Sequence, residues 1–143
     1  MENKINTDVA FEELKGFLKA KMPKEFRRGR ISDEKIKEDY PAVLEAIEDG
    51  LLVFDEKSNP EYTLEYPLFS EAKDKSLIIK SVAFKTRIKG ADRTMLMNGI
   101  DPKKDLGTYM IKMIGFICQL SPSETKELEK DDFEVLNQIC SVF

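Results

Sequence analysis

The chain has no histidine and no tryptophan, and only two cysteines. Without imidazole, Ser-His and Cys-His nucleophile pairs and His-based zinc or iron sites are excluded, which leaves carboxylates, Lys, Tyr and Cys for any chemistry. Cys118 and Cys140 sit inside apolar helical patterns without the spacing of a zinc knuckle or a redox pair, and read as small core hydrophobes of a reducing cytosol. The longest apolar stretch, Leu106 to Leu120, is interrupted by Lys112 and Gln119 and is shorter than the ~20 residues of a bilayer span, so no membrane partner is expected. Met1 to Asp8 is polar with charges of both signs and carries no signal-peptide or lipidation motif. No glycine-rich phosphate loop occurs. The acidic run Glu127, Glu129, Asp131 and Asp132 lacks the glycine and alternating oxygen ligands of a calcium loop, and reads as helix capping plus solvated charge. No catalytic residue, metal or cofactor is therefore expected, and the protein is read as not an enzyme.

What is present suits one domain of 143 residues with a formal net charge of −4. That balance gives no general affinity for nucleic acid, yet it is unevenly laid out. Residues 1–31 carry eight basic and five acidic side chains, and residues 121–143 carry two basic and six acidic. Opposite charge at the two ends suits self-association or choice of a protein partner.

Val9, Phe11, Leu14, Phe17 and Leu18 have helical spacing after Thr7, a candidate N-cap, and Pro23 stops that helix before the basic loop 24–30. Ser32 caps a second helix, Pro41 forces a kink or restart, and Gly50 closes a third segment over 42–49. The period then changes to that of strands. We expect strands at 51–54, 62–66 (ended by Pro67) and 76–88, with a turn over 55–60 and a polar loop over 70–75. Helices return at 91–98, with Gly99 as its stop, and at 105–120, whose wide apolar circumference marks it as the centre of the core. Ser121-Pro122-Ser123-Glu124 is a capping box with proline at N1. Asp131, with Glu134 three residues on, caps the last helix in the same way. The expected fold is α+β: a small antiparallel β-sheet packed on a C-terminal helical bundle (51–143), preceded by an N-terminal helical arm (1–50).

Three surfaces suggest themselves as partner-binding, and each has a plainer reading. Phe11, Leu14 and Phe17 of the arm, and Ile139, Val142 and Phe143 at the C-terminal end, are either amphipathic docking faces or intramolecular core. Lys24 to Arg30 places Arg27, Arg28 and Arg30 around Phe26, a pattern used on acidic protein faces and phosphate backbones and also in plain solvated loops. Met95, Met97, Met110 and Met113 read as core fillers, with an adaptable binding face as the alternative.

Three pieces of sequence, in order, carry a resemblance. Tyr66-Pro67-Leu68 precedes a polar loop and a strand, Ile79 to Ile88, that runs into Gly90-Ala91-Asp92-Arg93. The apolar run Ile114 to Leu120 leads into Ser121-Pro122-Ser123-Glu124, and Leu128 to Leu136 carries the Leu-x-x-x-Asp-aromatic-x-x-Leu pattern before a final Phe143. This order over residues 62–143 resembles the tail assembly chaperones of long-tailed bacteriophages, while residues 1–61 are longer than the usual lead-in. The resemblance implies a non-enzymatic protein of the infected bacterial cytoplasm, absent from the finished particle, that binds the tail tube or tape measure protein and keeps it soluble. In many members a ribosomal frameshift yields a longer form, and a homo-oligomer is possible. The rival expectation is a small regulatory or DNA-associated phage or plasmid protein using the basic loop 24–30.

Overall fold

The computed structural model describes residues 5–69, 78–85, 88–101 and 103–143. Among these, eight helices and a three-stranded antiparallel sheet make an α+β fold. The caps establish the local structure. The Asn6 side chain accepts from Asp8 N–H and opens α1 (Thr7–Lys21), so the cap lies one residue before the expected Thr7. Pro23 ends α1 but also begins a short α2 (Pro23–Arg27), because proline's fixed φ suits a first helical turn. Much of the expected basic loop is therefore helical. Ser32 accepts from Lys35 N–H at the start of α3 (Asp33–Asp39), and Pro41 restarts the chain as α4 (Pro41–Glu48), closed by Gly50 at φ +76°.

The sheet runs in the order β1 (Leu52–Phe54), β2 (Pro60–Phe69), β3 (Ile78–Ala83). The turn between β1 and β2 is held by Asp55, whose carboxylate accepts from Lys57 and Asn59 N–H. Pro67 does not end β2. It falls in an irregularity where Thr63 pairs with Ser81 and Leu68 with Ile79, five residue steps of β2 against two of β3. The surplus residues leave the ladder here, so the missing N–H of Pro67 costs no pairing. β3 stops at Ala83, short of the expected Ile88, because Lys85 N–H donates to Ile117 O at 2.8 Å instead of continuing the ladder. The expected loop 70–75, together with Ser76, Leu77, Thr86 and Arg87, lies outside the described residues.

Three helices lead to the last one: α5 (Gly90–Met97), α6 (Leu106–Cys118) and α7 (Pro122–Lys126). The Ser121 capping box forms as expected, with both reciprocal bonds made. α6 is not buried along its length. Leu106 is 57% exposed, and only the turn from Ile114 to Cys118 enters the core. Gly115 is required there, since a Cβ would lie 2.9 Å from Thr125 Oγ1 and 3.0 Å from Leu120 O. Met95 is also 57% exposed, which corrects the core reading for it and for Met97.

The final helix, α8 (Lys130–Cys140), begins two residues earlier than expected, with Glu129 rather than Asp131 at its N-cap. Asp132, expected as solvated charge, is fully buried. Its Oδ1 accepts from Tyr62 Oη at 2.6 Å and Glu65 N–H at 3.0 Å, and its Oδ2 accepts from Tyr66 N–H at 3.0 Å. The Glu65 and Tyr66 N–H groups are backbone donors of the β2 irregularity, so the carboxylate takes the place of the missing strand partner. Six residues along α8, Gln138 Oε1 accepts from Ala42 and Val43 N–H and caps α4, whose own N-cap, Tyr40, supplies no side-chain bond. The core is continuous across Gly50: Phe17 of α1 stacks on Phe54 of β1 with ring centroids 4.8 Å apart, and α4 packs against α8.

Removing the Asp132 carboxylate orphans two backbone N–H groups and a phenol inside the protein. We expect Asp132→Ala to cost about 3–5 kcal/mol and Tyr62→Phe about 1–2 kcal/mol in urea unfolding. A Tyr62→Phe loss equal to that of Asp132→Ala would show that the backbone bonds carry no weight.

Candidate protein-binding surfaces

The residues proposed from sequence separate into two groups. Phe11, Leu14, Phe17, Ile139 and Val142 are buried in the common core, so their side chains are not offered to a partner. The intramolecular reading holds for them. Phe143 is half-buried, its ring parallel to that of Phe84 at 6.1 Å and tilted against Phe17 at 6.2 Å. Arg27, Arg28 and Arg30 are exposed on and just after α2, where Gly29 at φ +63° turns the chain toward α3.

Arg30 lines a feature that has no simple sequence period. A groove of about 400 Å³ runs between α2, the turn after it, and α3, walled by Met22, Ile31, Ile36 and Tyr40. Two ion pairs form its rim, Glu25 with Arg30 at 3.2 Å and Lys35 with Asp39 at 3.3 Å. Burial pushes the Tyr40 phenol above its ordinary pKa, so at neutral pH the wall is an uncharged aromatic with a hydroxyl. Arg27 and Arg28 fall between Glu25 and Arg30 of this lining in sequence, are exposed, and have no carboxylate partner at salt-bridge distance among the described residues. The groove is thus an apolar trough whose two lining cations, Arg30 and Lys35, are each paired with a carboxylate. It is poorly built to follow a phosphate backbone, because Glu25 neutralises Arg30 and Asp39 adds a second carboxylate at the rim.

A second cleft, of about 190 Å³, lies where α4, the sheet and α8 meet and is acidic. Glu45, Asp49, Glu65, Asp131 and Glu134 surround a floor of Ala46, Leu51, Tyr62 and Val135. Glu65 has a raised pKa, first from partial desolvation and then from the charges of Asp132, Asp131 and Asp49. Among the described residues no group of three or more Cys, Asp or Glu is placed to hold a metal ion. Two further exposed apolar sets remain: Met95, Met97 and Leu106 on α5 and α6, and Tyr66, Phe69 and Ile78 at the β2–β3 end of the sheet. No helix among the described residues is long and apolar enough to cross a membrane.

No family model, curated protein or solved structure matches this chain.

The residues that carry the resemblance noted above fall largely on structural tasks. Tyr66 of the first piece donates its N–H to Asp132 of the third. Gly115 and Ser121 of the second shape the close packing of α6 on α7. The groove, by contrast, is formed wholly by residues before Gly50.

Because folded Glu65 holds its proton more tightly than the unfolded chain does, ionising it opposes folding, and this penalty grows as pH rises above about 4.5. Glu65→Gln should therefore raise the urea midpoint at pH 7 and much less at pH 4. An equal gain at both pH values would remove the electrostatic explanation.

Proposed function

We propose that this chain is a non-catalytic assembly chaperone or adaptor of the kind that serves phage tails, acting in the host cytoplasm on the tail tube or tape measure protein. Two things support the reading. One is the ordered resemblance over residues 62–143. The other, which carries the physical argument, is the α2–α3 groove: an apolar trough lined by Arg30 and Lys35, with the exposed Arg27 and Arg28 just before Arg30 in sequence, that suits an apolar anchor residue with acidic neighbours. A tape measure is a long helical polymer whose apolar stripes aggregate if left bare. A chaperone needs only to cover such stripes reversibly, in several copies, with modest affinity at each.

The arginines contribute in this reading by steering acidic flanks toward the groove, and the exposed Met95, Met97 and Leu106 supply a second, adaptable contact. None of these side chains is part of the packed core, so each can be changed without loss of the fold.

The test is co-expression with tail tube and tape measure proteins from the genome that encodes this chain, whose presence there the proposal requires. Their solubility should depend on this protein, and they should co-purify with it. If they stay soluble alone and do not co-purify, the proposal fails. With binding established, Arg27→Glu combined with Arg28→Glu should weaken it roughly tenfold at low salt, with the difference shrinking as salt is raised. Ile31→Lys should weaken it at any salt by placing a charge in the trough. Unchanged affinity in both variants would move the contact away from the groove.

A further inference from the structure

Cys118 and Cys140 are 22 residues apart in sequence, yet their sulfurs lie 3.7 Å from each other inside the protein. They are the only two cysteines of the chain. Each is the last residue of its helix, Cys118 of α6 and Cys140 of α8. The residue after Cys118, Gln119, takes the left-handed conformation at φ +60°, and the residues after Cys140 form a turn. Neither sulfur is therefore held in the middle of a rigid helix, and helix ends are where local opening is cheapest.

We propose that Cys118 and Cys140 are a disulfide-forming pair, a reversible covalent modification site that joins the C-terminal end of α6 to that of α8. The sulfurs need close only from 3.7 Å to the bond length of about 2.05 Å. The oxidant is a low-molecular-weight disulfide such as glutathione disulfide. Fraying of the last turn of α8 exposes Cys140, whose thiolate attacks one sulfur of the oxidant and displaces a glutathione thiolate. The Cys118 thiolate then attacks Cys140 Sγ in the mixed disulfide, forming the Sγ–Sγ bond and displacing the second glutathione thiolate. The two cysteine protons pass to those two thiolates. The protein is oxidised by two electrons, and one glutathione disulfide becomes two glutathiones.

The same geometry makes this a slow staple rather than a reactive redox centre. The hydrogen bond with Cys140, followed by burial, pushes the Cys118 thiol well above its ordinary range. The negative end of the α6 dipole also disfavours a thiolate at Cys118. Oxidation should accordingly be slow at pH 7 and faster at pH 9. Once formed, the bond closes a loop holding α7 and nearly all of α8, and so restrains the unfolded chain.

The experiment uses the whole chain in buffers of graded glutathione disulfide to glutathione ratio. Samples are quenched with acid, unfolded, tagged with maleimide and weighed by mass spectrometry. Reduced protein should take two tags. Oxidised protein should take none, weigh less by two hydrogens, and yield the tryptic peptides Met113–Lys126 and Asp131–Phe143 joined. Its melting temperature should rise by roughly 5–10 °C and return on adding reductant. Cys118→Ala and Cys140→Ala should each keep one tag and show no such rise. The proposal is overturned if both thiols of the native protein still take tags under conditions that close the bond in the unfolded chain. Persistent glutathione adducts, cross-linked dimers, or a lower melting temperature on oxidation would overturn it equally. None of these readouts depends on which partner the protein binds.

Discussion

A single buried carboxylate determines how sheet and helices meet. β2 contains more residues between Thr63 and Leu68 than β3 can pair, and the donors released by that mismatch face the helical layer. Left unpaired, each would cost about 1–3 kcal/mol. Asp132 accepts from two of them and from the Tyr62 phenol, so one side chain of α8 satisfies three donors of one strand. The register of α8 against the sheet follows from this, because turning the helix by one residue would bury the charge without its partners. Val135, Leu136 and Ile139 are carried into the core by the same placement, and Gln138 reaches the unpaired N–H groups of α4.

The position of α8 explains why the first fifty residues are not a loose arm. α4 starts at a proline, after Tyr40, which offers no side-chain cap, so its exposed donors need an outside acceptor. Gln138 provides one, and α4 in turn packs against α1. Phe17 of α1 then meets Phe54 of β1 and Phe143 at the far end of the chain. Polar satisfaction at two points on α8 thus fixes which apolar faces come together, and burial supplies most of the driving force once they do.

What could be read from the sequence divides along that line. Ser32, Pro41, Gly50, Gly99 and the Ser121 box act on their own neighbours, and the structure places them as read. The strand irregularity could not be read, because it depends on a count of residues in two strands joined by a loop. Asp132 looked like a solvated acid because an acidic pair at a helix start has that local meaning whatever faces it across the fold. The apolar stripes of α1 and α8 were ambiguous for a related reason: a stripe that would cover a partner and one that fills the core have the same period. The arginines were legible as exposed charge, since burying three cations near one aromatic would need as many partners. The groove that Arg30 lines was not, because Met22, Ile31, Ile36 and Tyr40 come from one helix, two helix junctions and a loop.

This division bears on where recognition resides. Residues 62–143 carry the resemblance, and there the quoted motifs satisfy a strand irregularity, permit close helix packing and cap helices. Such tasks constrain residue type strongly and say little about what is bound. The groove and its arginines lie within residues 22–40, in the part of the chain that departs from the resembling pattern. On the proposed reading, the later region is a scaffold whose wording is dictated by folding, and the earlier helices bear the contact that selects a partner. The two meet through α4, Gln138, the aromatic contacts of Phe17, Lys21 against Asn59 and Phe143, and Tyr40 against Ser141, and none of these contacts involves Arg27, Arg28 or Ile31, so the groove region can be altered there without touching the carboxylate on which the scaffold depends.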